Sequence, residues 1–377
     1  MRALVAFTLA LSLPGQTPQP VQPPLQDQLQ QTLQKHLQSL APGAQAAVVL
    51  PDDTLLPIAI GLADREAKTP MTHTGKLLAG SVGKTFFAAL AIQLANEKKL
   101  DLDAPLATWL AKEPWFANLP NGKDITLRHL LMHRSGLPRY EFDPAFTEQL
   151  LAKPDHRFLP AEEIAFVLTA KPRFAPGQGF EYADTNYVLL GLVLERVTGK
   201  PCYDEIQRRF LTPLKLQATI PSVGRAIPGL VQGHAGEGNP FGNRDAMLVD
   251  GKLPFDAGFE GAGGGFASTA SDLARWAKAL WGGDVLGARK PEALDAQPAP
   301  LGRNARYGLG VIVVPTPHGP AHGHSGFFPG WMAEVRWYPD AKVAVAILVN
   351  GSAERKLGRA LQDCADELVG TVGSASK

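Results

Sequence analysis

The sequence predicts an α+β fold: an antiparallel sheet built from N- and C-terminal segments and flanked by helices, with a mostly helical domain inserted between its two halves. Three observations carry this. Strand-like runs cluster at the two ends of the chain, AQAAVVLP and LLPIAIGLA early, YGLGVIVVP, WMAEVRWYP and KVAVAILVN late. The text between about residues 81 and 260 reads instead as helical segments broken by Pro and Gly. An amphipathic helix sits at each end, ready to cover a sheet that must bury its faces. Residues 25–80 and 265–377 therefore form the sheet domain, and 81–264 the helical domain.

Each element has a local reason. Leu25, Leu29, Leu33 and Leu37 recur every fourth residue in a Gln-rich segment, which puts them on one face of a helix. Asp52-Asp53 splits the first two apolar runs as a turn would, giving a hairpin. AGSVGKTFFAALAIQLANEKK is long and Ala-rich, hence helical rather than extended. ITLRHLLMH starts at a Thr126 cap, and TNYVLLGLVLERVTG closes on Gly199. Thr269 and Asp272 read as a capping pair for LARWAKAL, and the last helix runs from Ala353 to Val369.

Composition removes several function classes. The 377 residues are 45% hydrophobic and 19% charged, an ordinary globular balance, so disorder and fibrous classes are out. Lys plus Arg (37) nearly cancels Asp plus Glu (36) without clusters, which leaves no footprint for nucleic acid or an anionic membrane. The expected partner is a small or neutral molecule. MRALVAFTLALSLPG has one Arg, then an apolar run from Ala3 to Leu13 too short to span a bilayer. It reads as a signal peptide over 1–15, followed by a Pro/Gln-rich spacer over 16–24, so a periplasmic or secreted location is expected, with no stable membrane span once the signal is removed. Cys202 and Cys364 lack the spacing of a metal site, and neither a metal nor a cofactor is expected.

The heptapeptide AGSVGKT (Ala79 to Thr85) admits three chemistries. A phosphate loop needs a Gly where Leu78 stands and a strand where MTHTGK stands. A nucleophile elbow needs an upstream HGGG-like segment, which is absent, although Asp272 and His324 follow in the right order. S-x-x-K needs only that Ser81 and Lys84 share a helical face, and residues three apart do. Ser is a poor nucleophile until its proton is taken, and Lys, at a pKa of ~10.4, must lose basicity by burial to take it.

The partners such a pair requires come downstream in order: Tyr182-Ala183-Asp184 in GQGFEYADTNYVLLG, then His324-Ser325-Gly326 in HGHSGFFPGW. With these motifs the sequence resembles the serine β-lactamase-like, penicillin-recognising hydrolases, the branch of class C β-lactamases, D-alanyl-D-alanine carboxypeptidases and related esterases. ITLRHLLMHRSGLP, GAGGGFASTASDLARWAKAL, YGLG and a last strand ending in Asn-Gly match in register, so the resemblance spans about residues 30 to 355. It implies the β-lactamase/transpeptidase-like fold with its active site between the two domains.

The resemblance also implies roles. Ser81 would be the acylated nucleophile, with Lys84 and Tyr182 sharing one proton relay. The backbone N–H groups of Ser81 and Phe327 would form the oxyanion hole. His324, Ser325, Gly326 and Asp184 would meet substrate, His324 helping to hold a carboxylate or to shape the proton network. Asp184 departs from the family's usual Asn and, when ionised, can only accept hydrogen bonds. It could pair with Lys84 or cap the following helix. His133, before Ser135-Gly136, reads as scaffold, Gly261 to Gly265 as a flexible wall, and Phe327 and Trp331 either as lining that wall or, as is more usual for aromatics beside a strand, as core. The activity implied is hydrolysis of an ester or D-amino-acid peptide, with β-lactam turnover or non-catalytic binding of peptidoglycan fragments as the alternatives. The partner implied is a small-molecule or peptide substrate, cell-wall fragments among them.

Overall fold

A computed structural model describes residues 24–237, 239, 241 and 244–375. The signal peptide and all of the spacer but Pro24 lie outside the described residues. The strands are β1 (Gly43–Val49), β2 (Leu55–Asp64), β3 (Thr69–Pro70), β4 (Leu77–Leu78), β5 (Ile220–Pro221), β6 (Phe266–Ser268), β7 (Gln297–Pro298), β8 (Arg306–Tyr307), β9 (Ile312–Thr316), β10 (Gly319–Phe328), β11 (Trp331–Tyr338) and β12 (Val343–Val349). The principal helices are α1 (Leu25–Leu37), α2 (Lys84–Asn96), α3 (Leu127–Leu131), α4 (Asp184–Thr198), α5 (Ala270–Ala277) and α6 (Leu357–Ala375).

Nine strands form one antiparallel sheet in the order β3-β2-β1-β12-β11-β10-β9-β8-β7. The two ends of the chain meet where β1 pairs β12, Ala44 opposite Val349 through Val49 opposite Ala344. Both central strands are buried along their whole length, because helices cover both faces. On one face α1 and α6 pack together, with Leu29, Leu33 and Leu37 against Val345, Ile347, Leu361 and Leu368. On the other, α5 and the inserted helical region share a larger core with Ala344, Ala346 and Leu348. A three-stranded sheet, β4-β6-β5, links the start of the site to the segment that follows the helical region.

The local readings hold where local chemistry decides them. Asp53 takes a left-handed turn backbone (φ 69°) between β1 and β2, Thr126 caps α3 by accepting from His129 N at 3.3 Å, and Gly199 ends α4 at φ 67°. Two details differ. The last helix begins at Leu357, four residues later than its periodicity suggests, and runs on to Ala375. The Thr269 hydroxyl does accept from Asp272 N, but the Asp272 carboxylate accepts from Ala218 N at 2.8 Å instead of returning the bond. Cys202 and Cys364 are both free and buried.

Candidate active site

Ser81 and Lys84 are brought together by a tight turn at the head of α2. Residues Gly80–Gly83 form a 3₁₀ turn that runs directly into α2, stacking Lys84 one turn above Ser81. Lys84 is fully buried, and its Nζ donates to Ser81 Oγ at 3.0 Å. Gly80 has φ 49°, and a side chain there would drive a Cβ to 2.6 Å from Phe327 N. A Cβ on Gly326 would lie 1.9 Å from Ala79 O. These two glycines let the nucleophile turn and the end of β10 touch backbone to backbone, setting Ser81 beside Phe327.

The segment Gly261 to Gly265 is packed rather than flexible. A Cβ on Gly83 would fall 1.5 Å from Gly264 O, and Gly263 O accepts a short hydrogen bond from Lys84 Nζ. The glycines therefore serve close approach: they carry a carbonyl over the buried ammonium.

Tyr182 lies just before α4, and its ring faces Lys84 Nζ at 5.0 Å from the centroid. The anchoring is supplied by the HRSGLP loop. His133 stacks on Tyr182 with centroids 4.1 Å apart, and its Nδ1 accepts from Ala183 N at 3.2 Å and Asn186 Nδ2 at 3.1 Å. Ser135 Oγ donates to Asn186 Oδ1 at 2.6 Å and Thr185 Oγ1 to Pro138 O at 2.7 Å, fixing the first turn of α4. His133 and Asn186 are thus positioning residues that the sequence reading treats as scaffold or passes over. Burial pushes the Tyr182 phenol up, against the pull of Lys84 and of Ser81 beside it.

Asp184 is the first residue of α4 and caps nothing; Ala183 holds the cap position. Its Oδ1 stands 2.5 Å from Lys84 Nζ. Of the two readings open for Asp184, cap or partner of Lys84, the ion pair is the one present. Burial lowers the Lys84 pKa, but Asp184 and then Tyr182 outweigh it and hold the lysine above its ordinary value. Three further carboxyls surround Asp184. Burial, with the Asp184 charge second, raises Glu141 to about 7, Glu260 to about 8 and Glu163 well above the carboxylate range. No motif announces them, because they converge from three separated segments.

His324 lies in the cleft wall. Its Nδ1 faces Ser325 O at 2.7 Å and so carries the proton, and its Nε2 accepts from the Tyr307 hydroxyl at 2.9 Å. Burial, then the charge of Lys84, lowers its pKa to about 3, and the ring is neutral at any physiological pH. Ser325 Oγ donates to Glu334 Oε2 at 2.7 Å. Phe327 is 56% exposed at the cleft mouth, whereas Trp331 is fully buried and belongs to the core rather than the wall.

The cleft has a volume of about 250 Å³ and is lined by Ser81, Tyr182, His324, Ser325, Gly326 and Phe327, continuing to Leu301, Ile312 and Met332. Beyond Gly323, which pairs Ile312, β10 has no strand partner among the described residues on the side away from β11. An extended substrate can lie along that free edge. Among the described residues no group of His, Cys, Asp and Glu is arranged to hold a metal, and no helix is long and apolar enough to cross a membrane.

The family model described as Beta-lactamase matches residues 27–365, nearly the whole chain. The chain belongs to the Beta-lactamase family. Within that family it is 25% identical over 329 residues to penicillin-binding protein 4* of Bacillus subtilis (strain 168), spanning 84% of this chain and 70% of that protein. To esterase EstB of Burkholderia gladioli it is 32% identical over 214 residues, 55% of this chain and 54% of the other. The D-aminopeptidase of Brucella ovis is 26% identical over 319 residues, 82% of this chain and 56% of that one. Among solved structures, the D-amino acid amidase from Ochrobactrum anthropi SV3 complexed with L-phenylalanine amide superposes with a TM-score of 0.80 at 25% identity, covering 94% of this chain and 99% of that one. This member of the Beta-lactamase family is a serine hydrolase with the family's mixed helix and antiparallel-sheet fold.

Proposed function

We propose that the protein is an exported serine hydrolase that forms an acyl-enzyme at Ser81 and acts on an ester or a D-amino-acid peptide or amide. The observation that carries this reading is the 3.0 Å contact between Ser81 Oγ and a fully buried Lys84 Nζ, with Tyr182 beside both.

Acylation needs a place for the serine proton. Lys84 is held as an ammonium by Asp184, so it can take the Ser81 proton only while giving one of its own to Asp184 Oδ1, 2.5 Å away. Ser81 Oγ attacks the carbonyl carbon as Lys84 accepts from Oγ and donates to Asp184. The charge gathering on the carbonyl oxygen meets the backbone N–H groups of Ser81 and Phe327. Tyr182 gives its phenolic proton to the departing oxygen or nitrogen, and the phenolate formed beside Lys84 is then reprotonated through Lys84 from Asp184. In deacylation a water takes the place of the leaving group and the same path runs in reverse. Every proton returns to its starting atom.

The named relatives support the substrate class: an esterase, a D-aminopeptidase and a D-amino acid amidase all share this fold. His324 supplies no fixed positive charge for a substrate carboxylate, which favours neutral esters and amides over penicillins. The test is a substrate panel: a short acyl ester, a D-amino acid amide, a D-alanyl-D-alanine peptide and a penicillin, with product release followed for each. Turnover of the ester or a D-substrate, lost in Ser81→Ala, supports the reading, and the absence of turnover on all four defeats it. Export is tested by the mass of protein recovered outside the cytoplasm, which should lack roughly the first 15 residues.

A further inference from the structure

A second, roomier cavity lies elsewhere. It has a volume of about 770 Å³ and shares no lining residue with the catalytic cleft. Its floor is apolar, with Trp337, Trp281, Leu214 and Leu294 in the wall. Gly282 packs flat on Trp337, where a Cβ would come to 2.7 Å from the ring, so the indole is fixed in place.

The rim carries Arg275, Lys278, Lys290 and Lys342 against a single carboxylate, Asp53. Four cations and one anion leave an excess of three positive charges in a chain whose whole net charge is +1. Lys278 is engaged, 2.6 Å from Asp53 Oδ1 and donating to Leu50 O, and Lys290 donates to Gly283 O at 3.2 Å. Arg275 and Lys342 form no ion pair among the described residues, and both are exposed. A surface evolved only for solubility intersperses its charges, whereas here cations from three separate segments converge on an apolar floor. A volume between roughly 300 and 1,000 Å³ is that of small-molecule sites.

We propose that this cavity is a second binding site, for a small organic anion with a flat apolar body, such as an aryl phosphate or aryl carboxylate. The apolar body packs against the half-buried Leu214 and Leu294, beside the small part of Trp337 left open, and the acidic group meets Arg275 and Lys342. The site adjoins the catalytic one: His322 in its wall and His324 in the cleft are two residues apart on one face of β10, about 7 Å along the strand. His322 is held neutral, its pKa lowered to about 4 by burial and then by Lys290, so the charge of the cavity is that of its rim.

The proposal is tested by calorimetry with 1-naphthyl phosphate, 1-naphthol and inorganic phosphate as probes. The phosphate ester should bind at least about tenfold more tightly than either part alone and weaken as salt rises, because the contacts at the rim are solvent-screened. Arg275→Ala combined with Lys342→Asn, which suits the left-handed backbone there (φ 54°), should cut affinity about tenfold or more with an unchanged melting temperature. Lys342→Asn alone should give a smaller loss of the same sign. Binding equal to that of 1-naphthol, no binding, or an affinity untouched by the double variant would overturn it.

Discussion

Replacing Asp184 with Asn restores the residue usual in the family and should change how the reaction depends on pH. In the wild type Asp184, 2.5 Å from Lys84 Nζ, keeps the lysine charged against a burial that by itself favours the neutral amine. An opposite charge at this range is worth roughly 1–3 pK units, and fully buried lysines without one fall to roughly 5–6. With Asn the side chain is isosteric but uncharged, and burial is no longer opposed by the pair. Lys84 should then titrate near neutrality and act directly as the base when neutral. The sign follows: the lowered lysine is active above its pKa, so kcat/KM of Asp184→Asn should drop about tenfold per pH unit on the acid side, at ~1.4 kcal/mol per unit. The wild type, whose lysine works as a relay while charged, should show no lysine limb between pH 5.5 and 8.5. The assay is kcat/KM for a neutral ester across that range in both proteins. Superimposable profiles would refute the relay through Asp184.

Other consequences follow from the same geometry. Glu260 is buried, has an unpartnered Oε2 and titrates at about 8, against about 4.5 in an unfolded chain. Its stabilising contribution is therefore complete below pH 4.5 and lost as pH rises toward 8, by up to about 5 kcal/mol at ~1.4 kcal/mol per unit. Glu260→Gln should flatten that slope in melting experiments between pH 5 and 8. Gly326→Ala, whose Cβ would stand 1.9 Å from Ala79 O, should separate Phe327 N from Ser81 and lower kcat by about 10²-fold or more while leaving the far-UV spectrum intact. His324, lowered to about 3, should leave no limb near pH 6.5 in the kcat/KM profile; a limb there that disappears in His324→Gln would show that the ring is charged in the working enzyme.

The sequence reveals those parts of the molecule that rest on neighbours in the chain. Ser81 and Lys84 share a face because they are three residues apart, Asp53 turns a hairpin, and Thr126 and Gly199 punctuate their helices. The motif order brings Tyr182 to the same place. What stays hidden depends on segments meeting in space. Asp184 at a helix start leaves two readings open, a cap or a partner for Lys84; only the approach of α2 to α4 decides for the partner. The role of His133 exists only because the HRSGLP loop folds behind Tyr182. Gly261 to Gly265 reads as slack because glycine permits motion, yet it also permits contact, and Gly264 O within 1.5 Å of a would-be Cβ on Gly83 decides between the two. Two glycines in G-x-x-G beside a nucleophile, with a second glycine run downstream, are the signal that could have pointed to that contact.

The account rests on covalent catalysis at Ser81. Its most direct measurement is the intact mass of the protein quenched within milliseconds to seconds of mixing with a slow acyl ester, followed by peptide mapping. The account predicts a mass gain equal to the acyl portion alone, located on the peptide containing Ser81, decaying as product appears and absent in Ser81→Ala. Turnover with no adduct at any time, or an adduct that persists in Ser81→Ala, would contradict it.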